Sequence, residues 1–227
     1  MKLMKSDFQI QNDVQEEILW EPLLVGSVIN ATVKDGVVTL NGLVDTYAKK
    51  LAAENAAKRV AGVKAVAVDI HVWFWSDHQK SDTEIAEAIL NVLKWNTAVQ
   101  EENIKIKVED GYVTLDGEVE WEYQRAAAKA AIENLDGIKS VVSLITLKPR
   151  TKGSDIEKKI FASFYRHAAL DAKQINVIVT GTKAVLTGSV RSFAESDDAE
   201  KVAWSAPGIT SVDNKLEVEE FQFEFDD

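Results

Sequence analysis

The chain has 227 residues, with 26 Lys and Arg residues against 37 Asp and Glu residues, which gives a formal net charge of −11. This excess of negative charge excludes nucleic acid as the main partner, because phosphate binding depends on Lys and Arg. Hydrophobic residues make up 46% of the chain and charged residues 28%, as in folded globular proteins, and the lack of cysteine excludes disulfides and thiolate metal sites.

The N-terminal residues contain no apolar stretch of the roughly 7 to 15 residues that a secretory signal needs. Elsewhere no apolar run approaches the roughly 18 residues that span a bilayer. We therefore expect a cytoplasmic protein, or a periplasmic one if a signal peptide was removed.

The sequence contains three copies of one module. Residues 36–42 (GVVTLNG) recur 75 positions later as residues 111–117 (GYVTLDG), and Trp20 likewise matches Trp95. A further 71 positions along the chain, Gly188 and Gly208 match the glycines of the second copy. Because the repeats are in register over their whole length, we predict three domains, at residues 6–75, 81–149 and 154–221.

Each module begins with a predicted amphipathic helix. In the second copy the helix starts at a Ser81 or Asp82 cap and buries Ile85, Ile89 and Leu93, which are spaced four residues apart. In the third copy, Ser154 and Glu157 have the spacing of a capping box.

Two strands joined by a tight turn follow the helix. In the first strand Ile29, Ala31 and Val33 alternate with polar residues, so one face of the sheet is buried. Asp35-Gly36 and Asp110-Gly111 predict two-residue hairpins, since both central positions of such a turn favour positive φ. The third copy has its glycine one position earlier, at Gly181, so a different turn type is expected there.

An alanine-rich helix and a last strand complete each module. The helix is predicted over residues 47–60, 122–135 and 194–206, where small side chains allow close packing on the sheet: Ala53, Ala128 and Ala199. A left-handed C-cap is expected at the glycines that follow: Gly62, Gly137 and Gly208. The last strand must run parallel to the second, because one helical crossover joins them. The fold class is α+β: three tandem αββαβ modules, each a three-stranded mixed sheet with two helices on one face.

Gly42, Gly117 and Gly188 precede the alanine-rich helix, at a place where the backbone could approach a head-group phosphate. Glycine is also needed where strand geometry or close packing excludes a side chain. We favour this structural interpretation. Together with the C-cap positions, it gives six structural glycines: Gly42, Gly62, Gly117, Gly137, Gly188 and Gly208.

Aromatic residues continue two of the last strands. Trp73 and Trp75 extend the strand of the first copy on its polar face, and Phe221, Phe223 and Phe225 extend that of the third. Exposed aromatic rings need a cover, and modules of this size have cores worth only about 3 to 5 kcal/mol alone. We therefore predict that these side chains form an interface between modules or with a partner; insertion into a membrane is the alternative interpretation.

The repeated glycines, alanines and valines carry a resemblance to a known family. The residues that match are Gly42, Val44, Ala53, Ala56, Val60, Gly62, Val63 and Val66, then Gly117, Val119, Ala128, Ala131, Gly137, Ile138 and Val141, and then Gly188, Val190, Ala199, Val202, Gly208, Ile209 and Val212. In this pattern the chain resembles the BON domain family (bacterial OsmY and nodulation) over nearly its whole length.

The resemblance implies binding and not catalysis, because BON domains are associated with phospholipid or membrane-surface attachment and with osmotic or envelope stress. The residues agree: His71, His78 and His167 have no metal-ligand spacing and no nucleophile motif is present. We expect no enzyme activity, no cofactor and no metal.

Charge indicates which module would meet a membrane. Residues 1–80 have a net charge of −1, residues 81–152 of −4 and residues 153–227 of −6. Candidate lipid-binding residues lie on the alanine-rich helices of the first two copies: Lys49, Lys50, Lys58, Arg59, Arg125 and Lys129. Each contributes about 1 kcal/mol near an anionic surface, although a solvated helix face is the alternative interpretation.

The sequence therefore predicts a phospholipid- or membrane-binding, stress-associated protein. The alternative is an interaction scaffold or oligomerising module that uses its aromatic strand extensions, with a protein partner or a second copy as the ligand.

Overall fold

A computed structural model of the chain describes residues 3–74, 80–99, 101–148, 156–166, 170–219 and 222–223. The chain divides into two compact units. One comprises Met1–Gly42, Leu51–Ile70 and Thr151–Asp227, and the other comprises Leu43–Lys50 and His71–Arg150.

Each module has the predicted order of helix, strand, strand, helix and strand. The first contains α1 (Asp7–Trp20), β2 (Val28–Lys34), β3 (Val37–Val44), α2 (Tyr47–Arg59) and β4 (Ala65–Val72). The second contains α3 (Asp82–Trp95), β5 (Ile104–Glu109), β6 (Tyr112–Val119), α4 (Glu122–Ile132) and β7 (Ser140–Leu147). The third contains α5 (Ile156–Arg166), β8 (Ile175–Thr180), β9 (Lys183–Val190), α6 (Phe193–Trp204) and β10 (Ser211–Val218). Two short strands, β1 (Leu3–Met4) and β11 (Gln222–Phe223), flank the modules in the sequence.

The first helices begin at serine caps. Ser81 is the N-cap of α3 and forms a capping box with Glu84, which confirms the predicted helix start. Ser6 and Gln9 form the same box at α1. The predicted box at Ser154 lies outside the described residues.

Two kinds of tight turn join the first two strands. Asp35 and Gly36 have φ values of 54° and 78°, and Asp110 and Gly111 have 50° and 76°, as a type I′ turn requires. In the third module the positive φ falls on Gly181, at 71°. This is the pattern of a type II′ turn, so the turn type differs as the shifted glycine predicts.

The three sheets each have three strands with the hairpin strand in the middle, in the orders β2-β3-β4, β5-β6-β7 and β10-β9-β8. The second and third sheets are mixed: β5 and β8 run antiparallel to the middle strand, and β7 and β10 run parallel to it. The α+β class and the parallel last strand are therefore confirmed.

The cores consist of the residues that the periodicity selects. Ile85, Ile89 and Leu93 are buried on α3, and the three small residues of the alanine-rich helices are fully buried: Ala53, Ala128 and Ala199. A buried cluster in the third module centres on Phe164 and Leu186. Each module therefore has its own core between two helices and one sheet face.

The last strands end sooner than predicted. β4 ends at Val72, and Trp73 adds one final hydrogen bond, from its N–H to the Val44 carbonyl at 2.7 Å. In the third module the corresponding bond runs from Glu219 to Val190, at 2.6 Å. The middle strands end at these two valines, so each of these bonds is the last that the middle strand offers to the last strand.

The prediction that Phe223 continues the last strand of the third module is wrong, because that strand ends at Val218. Phe223 lies in the separate strand β11, which pairs antiparallel with β1 through Leu3↔Phe223 and Met4↔Gln222. Phe221, Phe225 and Trp75 lie outside the described residues.

Candidate functional site

The candidate lipid-binding residues lie on α2 and α4, and most of them are ion-paired. Lys49 contacts Asp45 at 2.9 Å, Arg125 contacts Glu122 at 2.7 Å and Lys129 is 3.6 Å from Glu133. The carboxylates belong to the same helix or to residues just before or just after it, so they neutralise the helix surface locally. Among the described residues, no carboxylate pairs with Lys50.

Lys58 and Arg59 make longer-range pairs. The Lys58 ammonium lies 3.1 Å from Glu54 and 3.6 Å from Asp197 of α6. Burial alone would lower the pKa of Lys58, but these two carboxylates offset it and hold the pKa above its ordinary value. Arg59 contacts Glu17 and Glu21, both at 3.3 Å, at the end of α1.

An exposed apolar segment surrounds the end of α1. Over ten positions, five large apolar side chains are exposed: Leu19, Trp20, Leu23, Val25 and Val28. The Trp20 side chain is 83% exposed. Leu24, in the turn Pro22–Leu24, is buried and anchors the segment to the core. The Arg59 pairs place a guanidinium beside the helix end from which this apolar segment emerges.

The repeat shows that the fold does not require this apolar segment. In the second module Trp95 matches Trp20 and is 85% exposed, but the other four positions are Lys94, Ala98, Gln100 and Asn103. In the third module the five positions hold Tyr165, Arg166, Ala169, Asp171 and Gln174. The sequence signal for this segment is a set of positions that are apolar in the first copy and mostly polar in the other two. The positions that all three copies share do not reveal it.

The glycines before the alanine-rich helices lie against a neighbouring strand. A Cβ added at Gly117 would be 2.0 Å from the carbonyl oxygen of Asn103, and one at Gly188 would be 2.0 Å from that of Gln174. The Gly42 position is also tight, at 2.6 Å from the Val28 oxygen. Real Cβ atoms do not come this close to a backbone oxygen, so the strand contact leaves no room for a side chain.

The C-cap glycines have positive φ and contact the first helix. Gly62, Gly137 and Gly208 have φ values of 92°, 89° and 93°. A Cβ at each would meet the isoleucine that begins the apolar stripe of that helix: Ile10, Ile85 and Ile156. The glycines thus let the chain pass close to the helix while it turns into the last strand.

The structure describes only some of the residues of the predicted aromatic interface. The Trp73 side chain is 58% exposed, and Phe223 pairs through its backbone with Leu3. The interface role of Trp73, Trp75, Phe221, Phe223 and Phe225 stays a prediction.

One buried carboxylate escaped the sequence analysis. Glu195, 5% exposed, accepts hydrogen bonds from the backbone N–H groups of Asp171 and Arg191 at 2.9 and 2.8 Å. Its carboxylate also pairs with the Arg191 guanidinium at 3.0 Å. Burial would raise the pKa of Glu195, but these hydrogen bonds outweigh it and hold the pKa below its ordinary value. The arrangement fastens the start of α6 to the loop before β8.

The helices of the described residues are too short or too polar to cross a membrane. In the same part of the chain, no group of three or more His, Asp or Glu side chains is placed to hold a metal ion.

Comparisons with known proteins agree with the repeat. A family model, the BON domain, matches residues 6–72, 81–149 and 152–220. Over 143 residues the chain is 31% identical to the "Osmotically-inducible protein Y" of Escherichia coli (strain K12), and the match covers 60% of this chain and 71% of that protein.

Among solved structures, the chain is similar to CdsD, a structural protein of the type III secretion system of Chlamydia trachomatis. The identity is 17% and the TM-score 0.26, with 92% of this chain and 91% of that chain covered. A second structure, the C-terminal domain of the same protein, gives 17% identity and a TM-score of 0.24, with 95% and 100% covered.

The family match covers all three modules, and the relative from Escherichia coli is aligned over most of its own length. The chain therefore belongs to the BON domain family.

Proposed function

We propose that this chain is a non-enzymatic protein that attaches reversibly to a phospholipid membrane surface through its first module, as part of a response to osmotic stress. The association of BON domains with membrane surfaces supports the attachment, and the name of the Escherichia coli relative supports the link to osmotic stress. The observation that carries the proposal is the exposed apolar segment at the end of α1.

Exposed apolar side chains grouped in this way are unusual on a soluble surface. Single exposed hydrophobic residues need no explanation, but contiguous ones mark surfaces that bind membranes or proteins. Tryptophan in particular has an apolar body and a polar N–H, and it is enriched at membrane–water interfaces. Leu23 lies in the turn after α1 and Val25 follows that turn, and both would enter the lipid beside Trp20.

Electrostatics contributes less than the sequence suggests. Lys49, Lys58 and Arg59 are already paired with carboxylates, so each would have to exchange a protein partner for a lipid phosphate. Binding that depends on buried apolar area varies little with salt, whereas binding by basic residues weakens as salt rises. We therefore expect attachment to neutral and to anionic vesicles, with a small salt dependence.

Vesicle sedimentation tests the proposal. The full chain is mixed with phosphatidylcholine vesicles or with vesicles containing phosphatidylglycerol, each at low and at high salt. We expect the protein in the pellet with both lipids. If it stays in the supernatant with both lipids at both salt concentrations, the proposed function is wrong.

A matched pair of variants locates the attachment. Trp20→Ser/Leu23→Ser removes two side chains of the apolar segment, and we expect the partition coefficient to fall by about tenfold or more. Leu90→Ser/Trp95→Ser removes a leucine and the equivalent, equally exposed tryptophan from the second module and should leave binding unchanged. Equal losses in both variants would show that the first module is not the attachment site.

A further inference from the structure

The outer edge of the first module's sheet is closed by a side chain of α1. The Gln15 amide nitrogen donates to the Ile29 carbonyl at 3.2 Å, and its amide oxygen accepts from the Ala31 N–H at 3.4 Å. β2 is an edge strand. The Gln15 carboxamide therefore makes the two hydrogen bonds that the N–H and C=O of one residue in a further, parallel strand would make.

In the third module no glutamine closes the corresponding edge. Phe161 stands in the position of Gln15, and Ile175 and Val177 stand in the positions of Ile29 and Ala31. Among the strands that the structure describes, only β9 pairs with β8. Within the described part of the chain, neither the Ile175 carbonyl nor the Val177 N–H has a hydrogen-bond partner on its outer side.

One end of this open edge is fixed. The Glu157 carboxylate accepts a hydrogen bond from the Val179 N–H at 3.2 Å, two residues beyond Val177. The Val179 N–H therefore points away from β9, and because backbone direction alternates along an antiparallel strand, the Ile175 and Val177 groups point the same way. Glu157 thus limits the free edge to the first half of β8.

A groove of about 590 Å³ lies beside the free edge, between α5 and β8. Its lining includes Phe161 and Tyr165 from the helix, and Asn176 and Val177 from the strand. The two rings meet edge to face, with their centroids 5.2 Å apart and an interplanar angle of 67°. Both are partly exposed, so they present apolar surface next to unpaired backbone groups.

We propose that the β8 edge of the third module binds an extended peptide segment of a partner protein by strand addition. The peptide backbone pairs with Ile175 and Val177, and one apolar side chain of the peptide enters the groove beside Phe161 and Tyr165. Such recognition takes affinity from main-chain hydrogen bonds and specificity from a side-chain pocket.

The first module identifies the occupant as a peptide. At the equivalent edge the chain supplies an amide, which both donates and accepts. An acyl chain would fill the groove but leave the Ile175 and Val177 groups unpaired and buried, which costs about 1 to 3 kcal/mol for each group. An extended peptide satisfies these groups and the apolar groove together.

Selection from a phage-displayed library of random peptides tests the proposal. The full chain is the bait, and enriched peptides are synthesised with a fluorophore for anisotropy titration. Phe161→Gln installs the amide of the first module, so it should close the edge and weaken binding by about tenfold or more. Phe161→Leu keeps an apolar side chain without an amide and should weaken binding less.

Two further readouts separate strand addition from simple apolar contact. N-methylation of the single peptide nitrogen that pairs with the Ile175 carbonyl should abolish binding, whereas methylation of the next nitrogen should not. Bound peptide should slow hydrogen exchange at the Val177 amide and leave the Ala31 amide unchanged.

The proposal is overturned if no selected peptide loses affinity in Phe161→Gln, or if every N-methylated peptide binds as well as its parent. A concentration-dependent dimer that Phe161→Gln dissociates would also overturn it, because the edge would then be occupied by a second copy of this chain.

Discussion

The ammonium nitrogen of Lys58 lies 3.6 Å from a carboxylate oxygen of Asp197, and this contact joins α2 of the first module to α6 of the third. Both residues belong to the same compact unit, in which β1 and β11 also pair. Modules at the two ends of the sequence are therefore in contact, and one of the predicted lipid-binding lysines takes part in that contact.

Reversing the charge of Asp197 should weaken the contact between the first and third modules. Asp197→Lys puts two ammonium groups close together, and because the pair is partly exposed we expect a loss of about 1 kcal/mol in the free energy of unfolding. Adding Lys58→Glu should recover part of the loss. Thermal denaturation of the single and double variants measures it.

Asp198→Lys is the control for this experiment. Asp198 pairs with Lys201 of its own helix, at 2.9 Å. Its reversal should not be rescued by Lys58→Glu; rescue of both variants to the same extent would mean that the specific contact carries no energy.

The Glu195 carboxylate predicts a pH dependence of stability. Its pKa is held below the ordinary value in the folded protein, so its contribution is present above the unfolded pKa of about 4.3 and is lost as the pH falls through the folded pKa. Glu195→Gln should cost about 1 kcal/mol at neutral pH, with a smaller difference in strongly acidic solution. Chemical denaturation over a pH series measures this.

The opposite substitution, glutamine to glutamate, can be made at the equivalent position of the second module. Gln124 occupies the position of Glu195, is buried, and accepts from the Glu120 and Trp121 N–H groups, both at 3.0 Å. Gln124→Glu would bring a carboxylate near Glu120 and should destabilise the protein at neutral pH, with recovery on acidification. If the stability of Glu195→Gln and of Gln124→Glu changed with pH in the same way, the ion pair between Glu195 and Arg191 would not be the cause of the pH dependence.

The glycine before the alanine-rich helix should tolerate no side chain. Gly188→Ala places a Cβ against the Gln174 carbonyl at a position with φ of 119°, and we expect a loss of about 3 kcal/mol in unfolding free energy. Gly26→Ala, at φ 82° but with nothing within 4 Å, should cost only about 1 kcal/mol. Equal stability losses in urea denaturation would show that the close strand contact is unimportant.

Features that depend on neighbours in the sequence were predictable. The cap at Ser81, the two Asp-Gly turns and the buried stripe through Ile89 follow from local spacing and are present as predicted. The repeat extends these predictions to all three modules, because the same local pattern occurs in each copy.

Features that depend on contacts distant in the sequence were not predictable. The aromatic strand extensions look continuous in the sequence, but β4 and β10 end where their partner strand ends. Likewise, nothing local shows that Arg59 neutralises Glu17 and Glu21, or that Gln15 reaches the edge of β2. The sequence signal for such contacts lies in the positions at which the copies differ, such as Gln15 and Phe161.

Insertion of Trp20 into lipid is the central claim, and quenching by brominated lipid measures it most directly. Vesicles of phosphatidylcholine with bromine on the acyl chains quench only those tryptophans that reach the hydrocarbon. We predict that the wild-type protein and Trp95→Phe are quenched equally and that Trp20→Phe loses the quenching. Quenching that survives in Trp20→Phe, or that is absent from the wild-type protein, would contradict the account.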